Sequence, residues 1–369
     1  MFYKIKDYLF DTDYILFITV LLISFIGIAA IYSAGYNPVT NTVDSYHKRQ
    51  LVWLFIGILS FFIMSYINYR RLIYFAPVIY TVGLLVLLLV LLYGGTSMGA
   101  QRWINIGSIR LQPSEVFKVV WVIMIAWNFM NFDGKPMGVL IIAKKMLVLI
   151  PPFLLVCKQP DLGTALSYVA VWGMVLLLLG VKRSVIIIAL IVLAILGKIG
   201  WSNLHDYQKD RLMVFLGKVE DEQGKGWNSK QSKVTVGSGG VNGKGFLEGT
   251  QSHLQFLPEN HTDFIFAVIN EEKGLIGGTT IIILFLFLIF RILSISIKCK
   301  EASGKILALA IACYIFFQFI VNAGMTIGLA PVVGIPMPFV SYGGTALLSF
   351  FTMLGMVNSI HLRRYSVTD

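Results

Sequence analysis

Charge is scarce in this sequence: only 13% of its 369 residues are Asp, Glu, Lys or Arg, while 57% are hydrophobic and the mean hydropathy is +0.77. That shortage excludes a soluble domain, in which about 25% of all residues are charged. The three cysteines, Cys157, Cys299 and Cys313, have neither the number nor the spacing of a disulfide framework or a metal finger, and no function is assigned to them. No internal repeat of the kind that marks many transporters is present, and no low-complexity tail. A nucleotide-binding P-loop is also missing. The glycine-rich run at 236–245, VGSGGVNGKG, fails that pattern, because Lys244 is followed by Gly245 and Ser238 stands where the first glycine belongs. It reads instead as a flexible hinge.

What the sequence has is long apolar runs. A spanning helix needs about 20 mainly apolar residues, and ten such runs occur: 14–33, 51–67, 73–93, 114–132, 138–156, 163–180, 184–202, 264–290, 304–328 and 344–361. The first follows Lys4 and Lys6 and is too long for a signal-peptide core, so it reads as an uncleaved signal-anchor. The expected fold is an all-α polytopic membrane protein of ten transmembrane helices, one membrane domain over residues 1–369, with both termini on the same side. Placing that side in the cytoplasm puts fifteen Lys and Arg on inner segments and five on the short outer loops. This distribution obeys the positive-inside rule and accounts for most of the net charge of +11 without nucleic acid. The segment 203–263, between the seventh and eighth helices, is then an extracytoplasmic loop. It is long enough to be functional, and 207–217 has the apolar spacing of a short interfacial helix.

Titratable groups beside an apolar helix are densest at 251–278, which holds Glu259, His261 and Asp263. Asp263 reads both as a first-turn or capping acid, with Thr262 as the alternative cap, and as a general base; the two roles are compatible. His261 reads more simply as an interface side chain. Glu271 and Glu272, next to Lys273, interrupt the following run and either bend the helix or neutralise one another. The fourth helix opens with Gln112, Pro113, Ser114 and Glu115, and Lys118 lies at i+3 from Glu115 on the same face. An ion pair there is costly unless it serves a polar site. Lys48, Arg49, Arg102 and Arg110 lie on outer loops, where positive charge is disfavoured. They are either headgroup contacts or ligands for an outer-leaflet anion, for which guanidinium offers a bidentate fork.

Five stretches together carry a resemblance: GAQRWINIGSIRLQPSE at 99–115, QPDLGTA at 159–165, QSKVTVGSGGVNGKG at 231–245, LPENHTDFIFAV at 257–268 and GIPMPFVSYGG at 334–344. The chain resembles the SEDS family (shape, elongation, division and sporulation) over nearly its whole length, and its elongation branch more than its division branch. Lys273 and Ala330 depart from the pattern only in detail.

The resemblance implies a peptidoglycan glycosyltransferase of the bacterial cytoplasmic membrane, polymerising lipid II at the outer face for elongation and rod shape. It also implies a class B penicillin-binding protein and other elongation-complex membrane proteins as partners. It places the essential aspartate at Asp263, with Glu115 and Lys118 lining the same cavity; Gln112 and His261, their neighbours in the sequence, are the further candidates for support. Pyrophosphate is already a good leaving group, so the chemistry needs cations and one base. Lys118, Lys48, Arg49, Arg102 and Arg110 are the candidate cations. A divalent ion, magnesium or manganese, on Asp263 and Glu115 is the optional addition. Two other classes stay open: a lipid II flippase using the same charges, and a non-catalytic scaffold of the elongation complex.

Overall fold

The computed structural model describes residues 11–189, 225–253 and 256–364, apart from 39, 98, 99 and 108, together with 191, 209 and 213. Most of the expected seventh span, the interfacial helix at 207–217 and much of the loop 203–263 therefore lie outside the described residues.

The described helices start and stop where local chemistry dictates. Asp13 caps α1 (Tyr14–Ala34) by accepting from the Leu16 N–H at 3.1 Å. Ser45 precedes α2 (Tyr46–Tyr66), and Asn68 caps the short α3 (Tyr69–Tyr74). Pro77 opens α4 (Ala76–Tyr93), as Pro113 opens α5 (Pro113–Phe129). The run expected as one span at 138–156 is instead α6 (Val139–Met146) and α7 (Ile150–Lys158), bent by 46°. Pro151 and Pro152 follow the break and cannot donate into an unbroken helix. Asp161 caps α8 (Leu162–Leu179) through the Thr164 N–H.

After the gap come α9 (Lys225–Ser238), α10 (Thr250–His253), α11 (Ile265–Lys298), α12 (Ala302–Ile327) and α13 (Gly344–Arg363). Gly328, left-handed at φ +79°, ends α12.

Among the described residues seven helices, α1, α2, α4, α8, α11, α12 and α13, are long and apolar enough to cross a membrane, and α6–α7 make an eighth if counted as one span. This is an integral membrane protein. The ten-span count rests further on α5, whose 17 residues rise roughly 25 Å, and on a segment outside the described residues.

The fold is mostly helical rather than wholly so. β1 (Tyr36–Asn37) and β2 (Thr42–Val43) pair antiparallel. The stretch between α4 and α5 folds into β3 (Gly95–Ser97), β4 (Ala100–Ile106) and β5 (Ile109–Leu111), with Ile104 opposite Leu111 and Asn105 opposite Arg110. A run this short, with glycines at 94, 95, 99 and 107, closes as hairpins and not as a helix.

The elements divide into two ends. At one, Arg291 pairs with Asp13 at 2.8 Å and Arg70 with Glu301 at 2.9 Å. At the other gather the strands, α9, α10, the segment 256–264 and the loop 329–343 between α12 and α13. Between the ends, apolar side chains such as Leu22 and Phe25 of α1 and Leu85 and Leu89 of α4 face outward, as a lipid environment favours. Trp121, Tyr168, Tyr314, Phe285 and Phe350 fill the interior.

Candidate active site

Asp263 is positioned by main-chain bonds. Glu259 takes a left-handed conformation, φ +53°, and its carbonyl accepts from the N–H groups of Thr262, Asp263 and Phe264 at 3.1–3.3 Å. The N-cap of α11 is Phe264, so Asp263 stands one residue outside the helix and neither it nor Thr262 is the cap. Thr262 instead donates its hydroxyl to Glu259 Oε2 at 2.8 Å.

Three successive carbonyls then anchor the turn. His261 O accepts from the Tyr342 N–H at 2.9 Å, Thr262 O from Ser341 Oγ at 2.6 Å, and Asp263 O from Asn322 Nδ2 at 3.0 Å. Asn322 is fully buried and donates also to Ile335 O at 2.8 Å, so one amide ties the Asp263 turn and the loop 329–343 to α12. The carboxylate of Asp263 faces that loop: a methyl group built on Gly334 would lie 3.2 Å from its Oδ2. Asp263 itself is half-buried.

His261 stacks on Tyr46 with ring centres 4.3 Å apart, and Tyr342 packs beside it at 5.8 Å. Burial pushes the His261 imidazole below its ordinary pKa, against the opposing pull of Glu259 and Asp44.

Glu115 and Lys118 form an ion pair at 2.5 Å, with Lys118 completely buried and Glu115 4% exposed. Lys118 Nζ lies 5.8 Å from the Tyr314 ring centre and 5.6 Å from that of Phe350. Gln112 joins the start of α5 to that of α8: its amide donates to Ser114 Oγ at 3.1 Å and to Asp161 Oδ2 at 3.2 Å. The loop 329–343 reaches both sites, since a methyl on Gly163 of α8 would meet Val333 O at 2.9 Å.

The basic residues separate by task. Arg102 is committed to structure, donating Nε to Gln159 O at 2.9 Å and an Nη to Pro160 O, which pins β4 to the turn before α8. Lys48 and Arg49 are exposed at the start of α2, and Arg110 is exposed on β5. These three, not Arg102 or the enclosed Lys118, have guanidinium or ammonium groups open to a ligand in this conformation. A divalent ion on Asp263 and Glu115 does not fit the arrangement: Glu115 closes on Lys118, and among the described residues no three His, Cys, Asp or Glu converge as ligands.

The glycine-rich run is no hinge. Helix α11 breaks at Gly274, φ +63°, and the run docks into the break. Lys244 and Gly245 N–H donate to the Glu271 and Glu272 carbonyls, and Leu275 N–H donates to Gly240 O, all at 2.9–3.0 Å. Gly239 is there for contact, since a methyl would fall 1.9 Å from Asn270 O. Glu271 and Glu272 do not neutralise each other. Glu271 accepts from Lys244 Nζ and from the Gln251 and Ser252 N–H groups at 2.7–3.1 Å, and Glu272 from Ser33 Oγ and the Leu247 N–H.

Sequence reading passed over Asn322, and gave no separate role to Asp161 and Gly334, which lie inside the quoted stretches 159–165 and 334–344. Asn322 had a signal: with Gln318 it places two amides one turn apart inside an apolar helix, where each polar group is costly. Gly334 opens the quoted stretch 334–344, but a glycine in a loop does not by itself say which side chain it faces.

Residues 13–366 match the FtsW/RodA/SpoVE family of cell cycle proteins. The chain belongs to this family. Among its relatives it is 40% identical to the peptidoglycan glycosyltransferase MrdB of Escherichia coli K12 over 86% of both chains. It is 28% identical to the peptidoglycan glycosyltransferase RodA of Treponema pallidum over 96% of this chain and 98% of that one. Its fold is similar to a chain of a peptidoglycan synthase complex that coordinates polymerization and crosslinking, with TM-score 0.82 and 29% identity, covering 96% of this chain and 99% of that one. It is also similar to the crystal structure of the rod shape determining protein RodA of Thermus thermophilus, with TM-score 0.71 and 27% identity, over 96% and 98% of the two chains.

Proposed function

We propose that this FtsW/RodA/SpoVE protein is a peptidoglycan glycosyltransferase that polymerises lipid II at the outer face of the cytoplasmic membrane, with Asp263 as general base. The observation that carries the reading is the anchoring of the Asp263 turn through three consecutive carbonyls, which holds a half-buried carboxylate against the loop at Gly334. A base held in this way loses little freedom when an acceptor arrives.

In the proposed step Asp263 takes the proton of the acceptor sugar 4-hydroxyl as that oxygen bonds to the donor anomeric carbon. The bond from that carbon to the pyrophosphate oxygen breaks with inversion, and undecaprenyl pyrophosphate leaves with the bonding pair. Lys48, Arg49 and Arg110 are the exposed cations available to the pyrophosphate. Gln112, His261 and the Glu115–Lys118 pair support the site by fixing the starts of α5 and α11, and Arg102 by holding the turn before α8. The chain is taken as one membrane domain with both termini cytoplasmic, its cation-rich end inside. A class B penicillin-binding protein is the proposed partner.

The deciding experiment mixes purified protein and that partner with lipid II in detergent, and resolves the products by size. Glycan strands establish polymerisation, because detergent leaves no membrane to transport across. Absence of strands, with lipid II crossing the bilayer of reconstituted vesicles, would establish the flippase instead.

A further inference from the structure

A cavity of about 850 Å³ opens at the end of the bundle opposite Asp263, where the turn after α5 meets the start of α6. Lys135, Lys145 and Lys182 line it, with one acid, Asp133. Its shape is fixed by main chain: the Met137 N–H donates to Gly180 O, and the Lys182 N–H to Met137 O, both at 3.2 Å.

None of the three ammonium groups pairs with a carboxylate among the described residues. Asp133 turns Oδ1 to the main-chain N–H of Lys135 at 3.1 Å, and Lys145 donates only to Asn128 O while lying 4.9 Å from the Phe129 ring centre. Elsewhere at this end Arg70 pairs with Glu301 and Arg291 with Asp13. The cavity therefore gathers three cations that have no carboxylate partner among the described residues against a single acid. Apart from Asn131 the rest of the wall is apolar: Val139, Leu140 and Ile141 give it an aliphatic side, and Leu140 is 71% exposed.

Cations beside bare aliphatic groups suit a ligand that joins an anion to hydrocarbon. We infer that this cavity binds the headgroup of an anionic phospholipid of the inner leaflet, its phosphate among Lys135, Lys145 and Lys182 and its chains along Leu140 and Ile141. The inference rests on the orientation proposed above but not on the transferase chemistry. Free phosphate shares the anion but leaves the aliphatic wall unused.

Native mass spectrometry of the full-length protein in mild detergent, with equal phosphatidylglycerol and phosphatidylcholine of matched chains, tests it. Wild type is expected to retain phosphatidylglycerol preferentially, and Lys135→Gln with Lys182→Gln, both exposed and free of structural side-chain bonds, to lose retention by about fivefold per lysine. Lys298→Gln with Lys300→Gln, which removes two cations outside the cavity, is expected to retain the lipid. Equal retention of the two lipids by wild type, undiminished retention by the first variant, or equal loss in both variants would overturn the inference. Displacement by glycerol phosphate as effective as by whole lipid would reduce the cavity to a simple anion site, and so overturn it too.

Discussion

The side-chain amide of Asn322 donates to the main-chain carbonyl of Asp263 at 3.0 Å and, with its second hydrogen, to that of Ile335 at 2.8 Å. Through this residue α12 holds both halves of the candidate site. Asn322→Leu leaves two carbonyls without their donor, each costing about 1–3 kcal/mol where it stays dry. The expected result is a lower melting temperature in detergent and a fall in strand synthesis larger than the loss of folded protein explains. Unchanged synthesis by folded Asn322→Leu would show that the amide does not position Asp263.

A second prediction concerns the buried pair. Glu115→Gln strands the Lys118 ammonium in a dry site and is expected to destabilise by about 3–5 kcal/mol, while replacing both by Met recovers most of that. Thermal unfolding checks the stability, and the strand assay on the double variant separates roles. Restored stability without synthesis assigns the pair to the reaction, whereas restored synthesis makes it structural.

At the helix break, Gly274→Ala places a side chain at φ +63° and 2.3 Å from Val241 O, so the docked run 239–245 must lift away. Faster tryptic cleavage after Lys244 is the expected readout. Cleavage at the wild-type rate would contradict the docking.

These features show where the sequence was readable. The positions of α1, α2, α4, α8, α11, α12 and α13 were legible because bilayer thickness fixes helix length, and Glu115–Lys118 was legible because i+3 places two residues on one face. The anchoring of Asp263 was not, since Ser341 Oγ and Thr262 O are 79 residues apart and no local pattern joins them. Gly239–Gly245 misled for the same reason. Glycine permits both flexibility and close backbone contact, and only the partner strand of main chain at Glu271–Ile276 tells which. The strands β3–β5 were hidden in a polar connection too short for periodicity to register.

The pH response follows from His261. Burial lowers its folded-state pKa, so the unfolded chain takes up a proton that the stacked imidazole refuses. Stability from the Tyr46 stack is therefore complete above the unfolded value, about 6.5, and declines as pH falls through it toward the folded value. Melting temperatures compared at pH 8 and pH 5 are expected to drop less for His261→Phe, which keeps the stack and cannot titrate. An equal drop in both proteins would place the acid sensitivity elsewhere.

The most direct test of the account is strand synthesis by Asp263→Asn, folded and bound to its penicillin-binding partner, against wild type at equal concentration. Asparagine keeps the shape and the Asn322 bond, which uses main chain, but cannot accept the proton. A loss of about 10² to 10⁴-fold is expected from removing a general base. Synthesis within a few-fold of wild type would contradict the assignment and move the base away from Asp263.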